Sequence, residues 1–291
     1  MEFCMIYLFL AALCSATLTL VLKLFRNPKG NRFGIILGNY LTCVLIAFLQ
    51  MPEKNRLFTV SSSTLLMSAA AGFLYVAGLV LIQTSVRING ATMTSAFSKL
   101  SLVVPLTISF LFFDEIPSPL KIAGLVLAVC AIVLINASTG GNAAPHAAGE
   151  KKNLTILLLT LFACGCSESM AKIFSRFGDQ REDTRYFFFL FLTAALLTLI
   201  LSAAEKRRTG KKIRIAELAA GIVAGIPNYF SSYFLLQALL KLPASLVYPV
   251  FSVGVILLVT LGSAVFFREK LGRRQYAGLA LILCALVLLN L

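Results

Sequence analysis

The chain consists largely of apolar runs, which are separated by short segments that contain charged residues, Pro or Gly. About 20 mostly apolar residues cross the ~30 Å hydrocarbon core of a membrane as one helix, so each run predicts a transmembrane helix. The predicted helices span residues 3–25, 33–50, 60–82, 92–113, 118–136, 154–175, 186–204, 215–239, 243–267 and 274–291. The sequence therefore predicts an all-α integral membrane protein with ten transmembrane helices.

The composition supports this fold class and excludes several others. Of the 291 residues, 59% are hydrophobic and 13% charged, whereas soluble domains carry about a quarter charged residues. The one His is His146, so His-based metal sites and catalytic triads lack the side chains they need. We therefore predict no enzyme activity, no metal and no cofactor.

Matched residues in the two halves indicate an internal repeat with a shift of 154 residues. They include Tyr75 with Tyr229, Gln83 with Gln237, Phe112 with Phe266, Phe113 with Phe267, Glu115 with Glu269, and Asn136 with Asn290. The predicted units are 1–136 and 154–291, joined by a polar linker at 137–153. Since each unit has an odd number of helices, the second must enter the membrane from the opposite side, which makes the repeat inverted.

The net charge of +14 comes mainly from the loops, where it indicates topology rather than nucleic-acid binding. When Lys121 and Arg274, at the starts of predicted helices 5 and 10, are counted with the adjacent connections, the connections after predicted helices 1, 3, 5, 7 and 9 hold sixteen Lys and Arg, and the other side holds seven. Because cytoplasmic loops are richer in these residues, this count favours cytoplasmic odd-numbered connections and external termini.

Each unit has a Phe-Phe-x-Glu exit from its fourth helix, followed nine residues later by Gly, at Glu115 and Gly124 and again at Glu269 and Gly278. This pattern resembles the EamA-type carriers of the drug/metabolite transporter superfamily, over about residues 5–136 and 154–290. The resemblance implies a multi-pass carrier of small metabolites in the bacterial inner membrane, often an exporter, that works by alternating access. It also implies cytoplasmic termini, so both orientations remain open.

Lys99 is a candidate substrate-binding residue, because it falls well inside the fourth predicted helix. A charge at that depth costs at least ~2.5–3.5 kcal/mol on insertion scales and should face the bundle interior or a wet cavity. Lys99 would then bind an anionic group such as a carboxylate. The alternative is a structural lysine that binds backbone carbonyls or reaches the interface.

Glu168 is the one acidic residue well inside a predicted helix, and Lys172 follows four residues later on the same face. An ion pair between them would make Glu168 structural, whereas an unpaired Glu168 would carry a proton or bind a substrate amine. Lys23 and Lys172 lie near predicted helix ends, where snorkelling to the interface is the simplest explanation.

The eighth helix carries a polar stripe, since Tyr229, Tyr233 and Gln237 recur every four residues after Asn228. Such a stripe is poorly placed against lipid. Together with Tyr75, Gln83, Lys99 and Glu168, these residues are our predicted lining of a cavity between the repeats. Hydrogen bonding between helices is the alternative explanation.

Two backbone features predict how the helices pack and bend. Gly221 and Gly225, four residues apart, predict a close approach of two helices. Pro105, Pro227 and Pro249 fall inside predicted helices and should kink them.

The sequence as a whole favours a secondary-active transporter that exports an anionic or zwitterionic metabolite such as an amino acid. No Gly-rich ATP-binding loop is present in the sequence. The expected partners are the lipid bilayer, the metabolite and, as a candidate coupling ion, the proton, with the protein a monomer or a homodimer. The alternative is a carrier of a cationic metabolite or drug, coupled to protons through Glu168.

Overall fold

The computed structural model describes residues 2–25, 30–52, 54–89, 94, 97–98, 100–112, 118–138, 153–266 and 273–290. Within these residues the protein is helical, as the sequence predicts. The α-helices are α1 (Glu2–Leu24), α2 (Gly34–Gln50), α3 (Ser62–Asn89), α4 (Val103–Phe112), α5 (Pro119–Ser138), α6 (Leu154–Phe177), α7 (Asp183–Thr209), α8 (Ile215–Leu239), α9 (Ala244–Phe266) and α10 (Arg273–Asn290).

Six of the described helices are long and apolar enough to cross a membrane, namely α1, α3, α6, α7, α8 and α9. The shorter apolar helices are α2, α4 and a stretch of α5. Two long helices exceed the predicted runs, since α3 continues to Asn89 rather than residue 82, and α7 spans Asp183–Thr209 rather than 186–204. Backbone hydrogen bonding continues past the apolar run, because polar side chains are tolerated where a helix leaves the hydrocarbon.

The fourth predicted helix, 92–113, is interrupted. Ser101 and Leu102 form a turn before α4 begins at Val103, and the amide of Val104 donates to the Ser101 carbonyl at 2.9 Å. Pro105 lies four residues after Ser101, and a proline ring crowds the carbonyl at that position and donates no hydrogen bond to it. The break thus lies where Pro105 predicts it, whereas α8 and α9 continue through Pro227 and Pro249.

Contacts along α2 establish the directions of its neighbours. The pairs are Gly38 with Gly221, Thr42 with Gly225, Asn31 with Ser202, and Phe48 with Phe188. As residue numbers increase along α2, those of the contacting residues increase along α8 and decrease along α7. Helices α2 and α8 are therefore parallel, and α2 and α7 are antiparallel.

The same test applies to α1 and α3. The pairs are Ser61 with Glu182, Gly72 with Leu190, Asn89 with Asn153, Gly78 with Ala163, Ala11 with Ser231, and Tyr7 with Phe234. Helix α3 thus runs parallel to α7 and antiparallel to α6, and α1 runs antiparallel to α8. It follows that α6 runs opposite to α1, α7 opposite to α2, and α8 opposite to α3, which is the predicted inversion.

Exchanging the two repeats reproduces several of the most extensive helix contacts. Contacts of α2 with α8, α1 with α8, and α1 with α9 become contacts of α7 with α3, α6 with α3, and α6 with α4, and all of these are present. We call α1, α2, α8 and α9 the first bundle, and α3, α4, α6 and α7 the second bundle. Each bundle mixes helices of both repeats, and the bundles meet where α2 packs on α7, α4 on α9, and α6 on α8.

Glycine allows the closest packing inside the first bundle. A methyl group added at Gly221 would collide with the Ile35 carbonyl and lie 2.7 Å from the Gly38 Cα, and one added at Gly225 would lie 2.5 Å from the Thr42 side chain. The predicted close approach at these glycines is therefore confirmed, with α2 as the partner helix.

We expect Gly221→Ala to destabilise the protein by about 1–3 kcal/mol, because the added methyl group meets rigid backbone of α2. Gly78→Ala is the matched control, since Gly78 is also buried within a helix but its nearest neighbour, the Cys164 Sγ, would be 3.7 Å away. Thermal unfolding in one detergent compares the two variants. Equal midpoints for both would contradict the tight α2–α8 contact.

Candidate functional site

A carboxylate lies inside the membrane-spanning part of α6. Glu168 is half-buried and nine residues from the end of α6 at Phe177, about 13 Å of helix rise. Its Oε2 lies 3.3 Å from the Ser101 Oγ, and its backbone carbonyl accepts a 2.8 Å hydrogen bond from the Tyr248 hydroxyl. Glu168 thus lies where α6, the turn before α4, and α9 meet.

Tyr75 of α3 adds a third helix of the second bundle to this group. Its hydroxyl interacts electrostatically with Glu168, as does that of Tyr248. We call Tyr75, Ser101, Glu168 and Tyr248 the polar cluster. It brings hydroxyl groups and one carboxylate together at the junction of the two bundles, which suits proton transfer or binding of a polar substrate group.

Close packing holds the polar cluster in place. Gly165 lies one turn before Glu168, and an added Cβ there would collide with the Val104 side chain and lie 2.8 Å from the Ser101 carbonyl. The turn forced by Pro105 therefore rests directly on α6. The Ser101 hydroxyl, 2.6 Å from the Ser98 carbonyl, is fixed beside Glu168 as a result.

The two lysines predicted to snorkel behave differently. Lys23 donates from its Nζ to the Ser263 Oγ at 3.2 Å, near the ends of α1 and α9. Lys172 is buried, with 7% of its surface exposed, so snorkelling is the wrong explanation for it. The cause is that α6 runs five residues past Lys172 to Phe177 and packs inside the second bundle.

Lys99 lies outside the described residues, so its role stays a prediction. Its neighbours in sequence, Ser98 and Leu100, are helical. The Ser98 hydroxyl is buried and has no hydrogen-bond partner among the residues that the structure describes.

The predicted tyrosines come together in an aromatic cluster, which comprises Tyr40, Tyr75, Phe187, Phe191, Tyr229 and Tyr233. Ring centroids in this cluster are separated by 6.3 Å for Tyr75 and Phe191, 6.1 Å for Phe191 and Tyr229, and 6.3 Å for Tyr229 and Tyr233. Tyr229 is fully buried and Tyr233 half-buried. The cluster joins α2 and α8 of the first bundle to α3 and α7 of the second.

The other predicted residues contact α7 and α2 or lie further along α3. Gln237 donates to the Asp183 Oδ2 at 3.1 Å, at the start of α7. Asn228 donates to the Asn39 Oδ1 at 2.7 Å, between α8 and α2. Gln83 lies eight residues beyond Tyr75, about 12 Å along α3, and its buried Oε1 has no partner within the described part of the chain.

Polar contacts also join the bundles at the end where α2 begins and α7 finishes, which we call the first end. The Arg32 Nη2 lies 3.5 Å from the Glu205 Oε2, and the Asn31 Nδ2 lies 3.2 Å from both the Ser202 and Lys211 carbonyls. These contacts form the first-end lock. The bond between Gln237 and Asp183 forms the second-end lock, at the opposite end of α2 and α7.

Comparison with known proteins decides the family. The model of the EamA-like transporter family matches residues 2–137 and 154–291, one match for each repeat. The chain belongs to the EamA-like transporter family. It is therefore a multi-pass membrane transporter of the drug/metabolite transporter superfamily and not an enzyme.

Two further comparisons agree with this membership. A protein of Haemophilus influenzae, described as an uncharacterized protein, is 26% identical over 287 residues, which is 96% of this chain and 95% of that protein. A solved crystal structure with 14% identity covers 99% of this chain and 96% of its own, with a TM-score of 0.71. At this identity the structure supports the EamA fold alone.

Several residues of the candidate site could not be identified as such from the sequence. Ser101 and Tyr248 are polar residues inside apolar runs, each close to a proline, and this position was the available signal. Phe187 and Phe191 have no such signal, because phenylalanine is common throughout the apolar runs. Among the described residues, no three His, Cys, Asp or Glu side chains come together as a metal site would require.

Proposed function

We propose that this EamA transporter is a secondary-active carrier that exports a small organic metabolite by alternating access. The observation that carries the proposal is the pair of equivalent bundles, which meet through a polar lock at each end with Glu168 between them. Two repeats of opposite direction give a transporter two related conformations, each open to one side. The protein can therefore close the junction between the bundles at either end.

The locks are weak enough to break in each cycle. Each lock is a small set of polar contacts: the partly buried Arg32 and Glu205 side chains lie 3.5 Å apart, and the hydrogen bond from Gln237 to the Asp183 carboxylate contributes about 1.5–3 kcal/mol. Contacts inside each bundle are tighter, because glycines bring helix backbones together there. We infer that the bundles rock as units about the α2–α7 and α4–α9 contacts.

The proposed substrate is anionic or zwitterionic, such as an amino acid. Lys99 would bind its carboxylate, since charge-assisted hydrogen bonds are strong in a site of low dielectric constant. The polar cluster and the half-buried Tyr233 supply a carboxylate and aromatic faces for an ammonium group. Gln83, Asn228, Tyr229 and Gln237 remain proposed site residues that become accessible as the bundles separate.

A second candidate is a cationic metabolite or drug coupled to protons through Glu168. The observation that favours it is the position of Glu168 beside the hydroxyl groups of Ser101 and Tyr248. A carboxylate among hydroxyl groups can bind a cation in one conformation and a proton in the other. This candidate differs from the first in requiring no contribution from Lys99.

The proposed setting is the inner membrane of a bacterium, with the protein as a monomer or a homodimer and without a nucleic-acid partner. Two orientations are proposed alternatives. The count of basic residues favours external termini, and the family resemblance favours cytoplasmic termini.

Purified protein in liposomes tests the proposed function. A panel of radiolabelled amino acids, carboxylates and cationic metabolites is offered with and without an imposed proton gradient. We expect accumulation of an anionic or zwitterionic compound in unchanged chemical form. Accumulation of cations alone would favour the second candidate, and conversion of a compound to a new product would contradict transport altogether.

A further inference from the structure

The connection from α7 to α8 carries a dense group of positive charges. Six of the nine residues from 206 to 214 are basic, namely Lys206, Arg207, Arg208, Lys211, Lys212 and Arg214, and none is acidic. All six are exposed. We call this segment the basic patch.

The backbone places the basic patch at the membrane surface. Helix α7 ends at Thr209, Gly210 reverses the chain with a φ of 71°, and α8 begins at Ile215. Both helices are membrane spans, so the few residues between them have no room to leave the lipid headgroup layer. Ile215 is 87% exposed, and an apolar side chain beside basic ones is typical of an interfacial segment.

The basic patch is not neutralised by the protein around it. Glu205 lies 3.5 Å from Arg32, and Glu217 is 3% exposed and accepts from the Arg214 backbone amide. Among the residues that the structure describes, none of the six basic side chains forms an ion pair. The charge is therefore available to a partner outside the chain.

The repeat does not explain the basic patch. The equivalent connection in the first repeat, between α2 and α3, holds Lys54 and Arg56 together with Glu53. The two connections lie at opposite ends of the fold. A strong positive charge on one of them alone suits a membrane whose two leaflets differ in charge.

We propose that the basic patch binds the headgroups of anionic phospholipids. Juxtamembrane clusters of four to eight Lys and Arg attract anionic lipid, and the arginine side chain fits phosphate oxygens in a bidentate manner. The basic patch also belongs to the first-end lock, because Asn31 donates to the Lys211 carbonyl and Glu205 precedes Lys206. Bound lipid therefore stabilises the first end in its closed form.

Lipid binding to the full-length protein in detergent tests this proposal, with phosphatidylglycerol and phosphatidylcholine as probes. We expect the wild type to bind phosphatidylglycerol more tightly, and the variant K206Q/R207Q/R208Q to lose about tenfold or more of that affinity. The variant K54Q/R176Q/R181Q is the matched control, since it removes three exposed bases from the opposite face, and its affinity should change less than about twofold.

Two additions keep the test decisive. The variant K211Q/K212Q changes only the connection between the helices, so a loss of affinity there does not depend on an altered α7. Inorganic phosphate, added at the same concentration as lipid, separates a lipid site from a phosphate site. Equal affinity for both lipids, equal loss in the control variant, or full displacement by inorganic phosphate would each overturn the proposal.

Discussion

Replacing Glu168 with Gln is expected to remove the dependence of transport on the proton gradient while exchange of substrate across the membrane continues. Gln retains the size and the hydrogen-bonding groups that face Ser101 but carries no titratable proton. If Glu168 carries the coupling proton, the variant with bound substrate can still change conformation. The proton gradient, however, no longer drives net transport of the substrate. Proteoliposomes that contain labelled substrate measure gradient-driven uptake and exchange separately.

The control for this prediction is Glu205→Gln, the same substitution in the first-end lock. It removes an ion pair rather than a coupling group, so gradient dependence should persist. If Glu168→Gln still accumulates substrate in response to the gradient, the proton is carried elsewhere. If the variant folds but loses exchange as well, Glu168 binds the substrate itself, and the cationic candidate becomes the better account.

Replacing Lys99 with Met is expected to weaken binding of an anionic or zwitterionic substrate by about ten- to hundredfold. A hydrogen bond to a charged group contributes about 1.5–3 kcal/mol, and Met keeps the length of the side chain without its charge. Expression and folding should not suffer, since removing a charge from the membrane interior costs no insertion energy. Binding measured by isothermal titration or by competition for transport gives the change.

Lys23→Met is the matched control for Lys99→Met. Lys23 is also a lysine within an apolar helix, but its Nζ donates to the Ser263 Oγ near the ends of α1 and α9. Substrate affinity should change less than about twofold in this control. Normal transport by Lys99→Met would make Lys99 structural, and a cationic substrate bound by Glu168 and the tyrosines would then be favoured.

Most of the fold could be predicted from the sequence, because the membrane restricts the chain so strongly. Backbone groups in hydrocarbon must bond within the segment, so each apolar run becomes a helix, and an odd number of helices per repeat requires inversion. The residues at which the helices end were harder to predict. Helix α3 continues through Thr84 and Arg87 to Asn89, because hydropathy falls where a helix leaves the membrane although the helix itself does not end.

Less of the candidate site could be predicted. The stripe of Tyr229, Tyr233 and Gln237 is present on one face of α8, as its spacing indicates. Its neighbours depend on which helix packs there, and this is α7, which supplies Phe187 and Asp183. Periodicity identifies the face of a helix but not its partner, so the aromatic cluster and the second-end lock required the three-dimensional structure.

The first-end lock could be identified only from the three-dimensional structure. Arg32 and Glu205 are far apart in the sequence, belong to different repeats and are unremarkable as single charged residues near helix ends. The inverted packing of α2 on α7 brings them within 3.5 Å. Asn31 and Ser202 meet for the same reason.

Cross-linking the two bundles tests the central claim most directly. In a background without native cysteines, a cleavable bifunctional thiol reagent joins Arg32→Cys to Glu205→Cys at the first end, or Asp183→Cys to Gln237→Cys at the second end. Asn89→Cys with Asn153→Cys is the control pair, since these residues are within hydrogen-bonding distance at 2.7 Å inside the second bundle. Either link between the bundles is expected to stop transport until the reagent is cleaved, while the control link leaves transport intact. Continued transport with both ends linked would contradict rocking bundles.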